Sequence, residues 1–181
     1  MLLSRDDVLM WVLGDLSFLP AQTKEAEDAW GRSLLKQVRP DLSSSQWTNL
    51  IGEYICKELF TRLGHVVTRP VKMCHLAPDL ETGDSIIEVK TQTFFTSGTA
   101  GEKILGVPFK YADIPTLYGK PLTIVCIAGA EREGRRHGVL GTQSHQKKVF
   151  LDTFQQSGIT FTSATDILLQ LQSFLNQASL S

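Results

Sequence analysis

The sequence predicts a mixed α/β domain, with a helical N-terminal lobe over residues 1–46 and, over 47–181, a core in which a mixed central sheet is flanked by helices. Three observations carry this. Trp47, Leu50, Ile51, Tyr54, Ile55, Leu59 and Leu63 recur at three- and four-residue spacing, the period of an apolar helix face. The run PLTIVCIAG at 121–129 is almost continuously apolar and of strand length, as in a strand buried on both faces. The 181 residues contain no repeat, low-complexity tract or linker, which suits a single compact domain.

In chain order, Ser4 followed by Arg5-Asp6-Asp7 reads as an N-cap with acids in the first turn, opening a helix to about Leu13. A second helix is predicted from Gln22 to Val38, stopped by Pro40. Ser44 or Ser45 is placed to cap the helix 47–63, which Gly64 ends. The period then changes. His65–Arg69 reads as a strand, a short extended piece surrounds Leu80, Glu81-Thr-Gly-Asp is a turn, and Ser85–Thr91 is the strongest strand of the first half. Thr96–Gly101 is a glycine-rich loop, and 102–118 is partly helical around Pro108 and Pro115. After the strand at 121–129, residues 131–138 read as a charged loop. A helix at 142–156, a strand at 159–162 and a closing helix at 164–175, capped by Ser163 or Thr165, complete the chain.

Composition limits the function classes. Lysine plus arginine number 18 and aspartate plus glutamate 19, for a net charge of −1, so nucleic-acid binding has to come from a local patch rather than from overall charge. Cys56, Cys74 and Cys126 are odd in number and widely spaced. That pattern suits a reducing, cytoplasmic compartment and neither a disulfide framework nor a zinc ribbon. Cys74-His75 lacks the companion pair that a closed metal site needs. Arg5, Asp6, Asp7 and Asp15 interrupt the apolar N-terminus, so no membrane anchor is expected.

The chemistry concentrates in Pro78-Asp-Leu-Glu-Thr-Gly-Asp-Ser-Ile-Ile-Glu-Val-Lys. A turn returns the segment carrying Asp79 against the strand carrying Glu88 and Lys90, and strand alternation puts those two on one face, with Ile87 and Val89 on the other. Two carboxylates beside one ammonium suit Mg²⁺ or Mn²⁺, which take few protein ligands and keep waters and a phosphate oxygen. Lys90 is then positioned to orient water and to offset negative charge. A (D/E)-x-K triplet is expected about once by chance in a chain of this composition. The weight therefore falls on its setting inside a β-branched apolar strand, where an acid and a lysine are costly. A same-face salt bridge on a half-exposed strand is the competing reading.

Gly52-Glu53 on a helix, Leu63-Gly64-His65-Val66-Val67 with Arg69, Pro78-Asp79 and Ile87-Glu88-Val89-Lys90 together resemble the PD-(D/E)XK nuclease superfamily over residues 47 to 92. The resemblance implies a restriction-endonuclease-like fold and Mg²⁺-dependent hydrolysis of double-stranded DNA, with Mn²⁺ able to substitute. A type II restriction enzyme acting as a homodimer is the preferred implication. A repair or Holliday-junction-resolving nuclease, and a DNA-binding module without catalysis, are the alternatives. Position by position, Asp79 and Glu88 correspond to the metal carboxylates, the Val89 carbonyl to a further ligand, Lys90 to the water-orienting lysine and Glu53 to the auxiliary helix acid. Only eight residues separate Asp79 from Glu88, short for the family, which keeps Asp84 as an alternative first acid. Lys57, four residues beyond Glu53, offers that acid a helical ion pair instead.

Candidate DNA contacts are Gln92 on the Lys90 face of its strand, Lys103 in the segment after the glycine-rich loop with Lys110 and Lys120 downstream, and Arg132, Arg135 and Arg136 in the charged loop. Arginines contact phosphates or guanine edges, while a charge run is also the ordinary composition of a solvated turn.

Overall fold

The computed structural model describes residues 1–42, 46–96 and 100–178. Ser44 and Ser45, and residues 97–99 of the glycine-rich loop, lie outside the described residues. After a 3₁₀ turn at Leu2–Ser4 come α1 (Asp6–Leu13), α2 (Lys24–Val38), α3 (Trp47–Arg62), β1 (Leu80–Glu81) and β2 (Ile86–Gln92). Three short helices follow, α4 (Ala100–Leu105), α5 (Val107–Lys110) and α6 (Ile114–Tyr118). The chain closes with β3 (Leu122–Ala128), α7 (Gly129–Arg136), α8 (His145–Gln156), β4 (Ile159–Ser163) and α9 (Ala164–Ala178).

This is a mixed α/β architecture around a four-stranded sheet in the order β1-β2-β3-β4. The first pair is antiparallel; β2–β3 and β3–β4 are parallel, with Glu88 opposite Ile124 and Lys90 opposite Cys126. The helical connections α4–α6 and α7–α8 supply the crossovers that parallel strands require. Pro108 and Pro115 fall in the first turns of α5 and α6, where a missing N–H costs nothing. They restart the helix rather than only interrupting it.

Alternation along the strands divides the core. Ile87, Val89, Val125 and Ile127 pack with residues of α1, α2, α3 and α9 in one apolar cluster. Ile86, Leu122, Ile124 and Ile159 pack with Val107, Tyr111 and Ile114 on the opposite face. The N-terminal helices share the first of these clusters with the sheet. Trp11, Trp30 and Trp47 meet there with ring centroids 5.4–6.1 Å apart. Glu27 is fully buried beside them. It accepts from Trp11 Nε1 at 2.8 Å and from the Phe94 N–H at 2.9 and 3.0 Å, tying α1 and α2 to the chain leaving β2.

Two glycines set close approaches. A Cβ at Gly52 would fall 1.7 Å from Thr91 Oγ1, so α3 lies directly against β2 there. A Cβ at Gly129 would fall 2.5 Å from the Thr93 carbonyl oxygen. Gly129 follows Ala128, which holds a positive φ of 55°, and α7 thereby begins against the end of β2.

Several sequence expectations need correction. Ser4 ends the 3₁₀ turn and Arg5 is the residue preceding α1; Ser4 Oγ donates back to the Met1 carbonyl instead of capping the helix. The strand expected at His65–Arg69 reduces to one bridge, Thr68 with Glu81, because β1 is only two residues long. Residues 131–138 are not a loop: most of them form α7, in which Arg135 pairs with Glu131 and both Arg132 and Arg136 lie by Glu133. The helix expected from Thr142 starts at His145 with Ser144 as cap. Ser163, not Thr165, caps α9, accepting from the Asp166 N–H at 3.0 Å.

Gly52→Ala should destabilise the protein by about 1–3 kcal/mol through overpacking, with partial rescue in the Gly52→Ala/Thr91→Ala double variant, measured by urea unfolding. Burial pushes the Glu27 carboxyl above its ordinary range. The folded state then binds that proton more tightly than the unfolded chain. The residue's contribution to stability is complete below about pH 4.3 and declines as pH rises through the raised value. The stability difference between wild type and Glu27→Gln should therefore shrink or reverse with rising pH, measured from urea midpoints. An increase instead would mean that the Trp11 and Phe94 donors hold Glu27 as a carboxylate.

Candidate active site

A cleft of about 590 Å³ opens at the C-terminal end of β2. Glu53 from α3, Asp79 from the segment before β1, Glu88 to Gln92 from β2, Lys103 from α4, Lys110 from α5 and Ala130 from α7 line it. Close packing at Gly52 brings its neighbour Glu53 to this wall. The hairpin delivers Asp79: the Asp79 N–H donates to the Ile87 carbonyl at 3.1 Å, and its Oδ2 accepts from the Val89 N–H at 2.7 Å. In a strand the N–H and C=O of one residue point to the same edge, so the Val89 carbonyl lies on Asp79's side. It lies beyond Ile86 and Ile87, where β1 pairing stops.

Glu88 is only 3% exposed. Its Oε1 accepts from Lys90 Nζ at 2.5 Å, while Oε2 is buried with no hydrogen-bond partner. An unpartnered buried carboxylate oxygen is expensive. Burial and the Asp79 charge push the Glu88 carboxyl upward, with Lys90 acting against them. Asp79 is raised by burial in spite of the Val89 hydrogen bond, and Glu53 by burial and by Asp79. The Asp79 charge thus opposes the ionisation of both Glu53 and Glu88 in one cleft. The Tyr111 phenol, beside this cluster, is pushed up to about 12 by burial and by Glu88; its oxygen accepts from Lys110 Nζ at 3.0 Å.

The residues singled out by sequence are partly assembled and partly dispersed. Glu53, Asp79, Glu88, Val89, Lys90, Gln92 and Lys103 share the cleft. Asp84 is outside it, exposed in the turn, accepting from Thr82 Oγ1 at 2.8 Å. Glu53 lies 3.9 Å from Arg69 rather than pairing with Lys57. Gln92 Nε2 donates to the Thr96 carbonyl at 3.3 Å. Arg132, Arg135 and Arg136 line no part of the cleft. Arg135 is held by Glu131 at 2.8 Å, Ser163 and Asp166; Arg132 and Arg136 lie within 3.4 and 3.6 Å of Glu133. Lys120 is likewise engaged, by Glu81 at 2.6 Å. Cys74 and His75 are both exposed and both have positive φ. Thr96, which opens the glycine-rich loop, also lines the cleft; Asn49 does so without a sequence signal of its own, because nothing in its local pattern separates it from an ordinary surface residue.

Among the described residues no group of three or more His, Cys, Asp or Glu side chains is placed to hold a metal ion. The oxygens here of the kind a hard divalent cation takes are the unpartnered Glu88 Oε2, the Asp79 carboxylate and the Val89 carbonyl, two side-chain donors and one from the backbone. No known family model, no curated protein and no solved structure matches this chain. No helix among the described residues is long and apolar enough to cross a membrane.

Mg²⁺ or Mn²⁺ should raise the thermal unfolding midpoint, because a ligand that binds only the folded state adds about 2.7 kcal/mol at a hundred times its dissociation constant. Chelation should reverse the rise, and Glu88→Gln should abolish it in a thermal-shift titration.

Proposed function

We propose that this chain is a divalent-cation-dependent endonuclease of double-stranded DNA, built on a restriction-endonuclease-like fold. One observation carries the reading. Glu88 is buried in a central strand with one oxygen on Lys90 and the other unpartnered, in the same cleft as Asp79 and Glu53. Glu58 Oε1, near Arg62, is also buried without a partner, so the weight falls on the setting: the orphan Glu88 oxygen shares a cleft with two other acids and three lysines, where a ligand can reach it. The antiparallel hairpin carrying both acids, the parallel strands after it and the helix carrying Glu53 support the fold assignment.

Asp79, Glu88 and the Val89 carbonyl would hold the cation, Mg²⁺ with Mn²⁺ as substitute. When bound it supplies Lewis-acid polarisation of the phosphate and stabilises the leaving 3′ oxygen. Lys90, fixed by Glu88, orients a water for in-line attack and offsets negative charge growing on the phosphate. Lys103 and Lys110 hold the non-bridging phosphate oxygens from the opposite wall. Glu53 is an auxiliary acid, its carboxyl pushed up by burial and by Asp79, with Arg69 and Lys90 acting against them. A type II restriction enzyme cutting a palindrome as a homodimer is the finer form of the proposal, since two such sites reach both strands.

Incubation with plasmid and with a synthetic four-way junction, with and without Mg²⁺, tests it. Discrete plasmid fragments support the restriction form. Cleavage of the junction alone favours a structure-selective nuclease, and a protein that shifts DNA without cutting under any divalent cation is a binding module. Asp79→Asn and Glu88→Gln should lose both cleavage and the Mg²⁺-dependent thermal shift. Lys90→Ala should keep the thermal shift while turnover falls by a factor of ~10² or more. Wild-type turnover in Lys90→Ala would return Lys90 to an ion-pair role.

A further inference from the structure

The cleft continues past Gln92. A second cavity of about 250 Å³ adjoins it, and Asn49, Thr91, Gln92 and Thr96 line both. The far wall is Lys24, Asp28 and Arg32, at four-residue spacing on one face of α2. Asp28 is shared. Its Oδ2 lies 2.5 Å from Lys24 Nζ and 3.9 Å from Arg32 Nη2, while Oδ1 accepts from Trp47 Nε1 at 2.9 Å. Two cations over one carboxylate leave this wall with a net positive charge. Both cations are half-exposed, in a class of ion pair worth at most about 1 kcal/mol, so a phosphate competes readily for them.

Trp47 apart, the rest of the lining is polar and uncharged. Thr48, Thr91, Thr93 and Thr96 bring hydroxyls, those of Thr93 and Thr96 bonded to each other, and Asn49 and Gln92 bring amides, that of Gln92 donating to the Thr96 carbonyl; these are side chains of the kinds that contact phosphate and sugar. Trp47 is buried to 2% with its N–H committed to Asp28, so it offers no stacking platform for a base. The groove suits a backbone and not base edges.

We infer that this second groove is a sugar-phosphate subsite, taking the backbone of the strand whose scissile phosphate lies at Glu88 and Lys90, with Lys24 and Arg32 neutralising a flanking phosphate. The inference rests on the nuclease reading. It makes the N-terminal lobe part of the substrate site, since α2 supplies both cations and α3 the wall between the two cavities.

Binding of a labelled DNA duplex, followed by fluorescence anisotropy with Ca²⁺ in place of Mg²⁺ across a salt series, tests it. Lys24→Gln/Arg32→Gln keeps the aliphatic stems of two exposed side chains; Lys103→Gln/Lys110→Gln probes the first cleft. Lys148→Ala, on α8 and lining neither cavity, is the control. The first double variant should bind about tenfold more weakly at low salt, with a slope of log K against log salt shallower by ~0.9 for each phosphate no longer neutralised. Wild-type affinity and slope in that variant, while the Lys103/Lys110 variant still weakens binding, would overturn the subsite and leave the nuclease reading standing. A wild-type protein that binds no duplex at any salt would overturn both.

Discussion

Everything in this fold is arranged around β2, a strand hydrogen-bonded on both edges and covered on both faces, which nonetheless carries Glu88 and Lys90. Ile87 and Val89 lie in the apolar cluster shared with α3, while Ile86 packs on the α5–α6 side. Such a strand has one register in which its apolar residues are dry, and that register fixes Glu88 under Asp79 and Lys90 at the cleft. The site's geometry is thus a consequence of core packing. The destabilising elements, a half-satisfied carboxylate and three acids raised together, are held in place by packing that has no other arrangement available.

How much of this is legible in the sequence follows from how local each cause is. The helix 47–62 and the strands 86–92 and 122–128 carry strong periodic or continuous apolar signals, and their bounds are recovered within a residue or two. The pairing of Asp79 with the 88–90 stretch is legible because a hairpin brings near neighbours together. Residues 131–138 mislead because their apolar content is low: beyond the local Glu131–Arg135 pair, α7 is held by Glu131 to Thr165 and by Gly129 against the end of β2. Such tertiary contacts have no periodic signature. The strand at 65–69 fails for the opposite reason. Val66 and Val67 have the composition of a strand, but a two-residue β1 offers them no ladder to join.

The same distinction separates the cations. Arg132, Arg135 and Arg136 form a conspicuous run, yet each lies within ion-pair distance of an acid on α7 itself. Lys24 and Arg32 are inconspicuous in sequence, eight residues apart, and become adjacent only because four-residue spacing stacks them along one face of α2. A charge cluster in sequence and a charge cluster in space are different quantities, and a polyanion responds to the second.

Glu27 shows why the helical lobe cannot be an appendage. Its carboxylate receives Trp11 Nε1 from α1 and the Phe94 N–H from the segment just after Gln92, so the position of the chain leaving the active strand depends on α1 and α2. Thr93 and Thr96, in that same segment, line the groove that α2 closes from the other side. One buried acid therefore fixes both walls relative to each other. This gives a physical reason for a fully buried glutamate whose burial opposes its own charge: its cost is offset by fixing the backbone of a segment whose two phenylalanines, Phe94 and Phe95, pack on the same core. The lobe and the sheet are then a single mechanical unit at the place where the substrate strand of a nuclease would run from one cavity into the next.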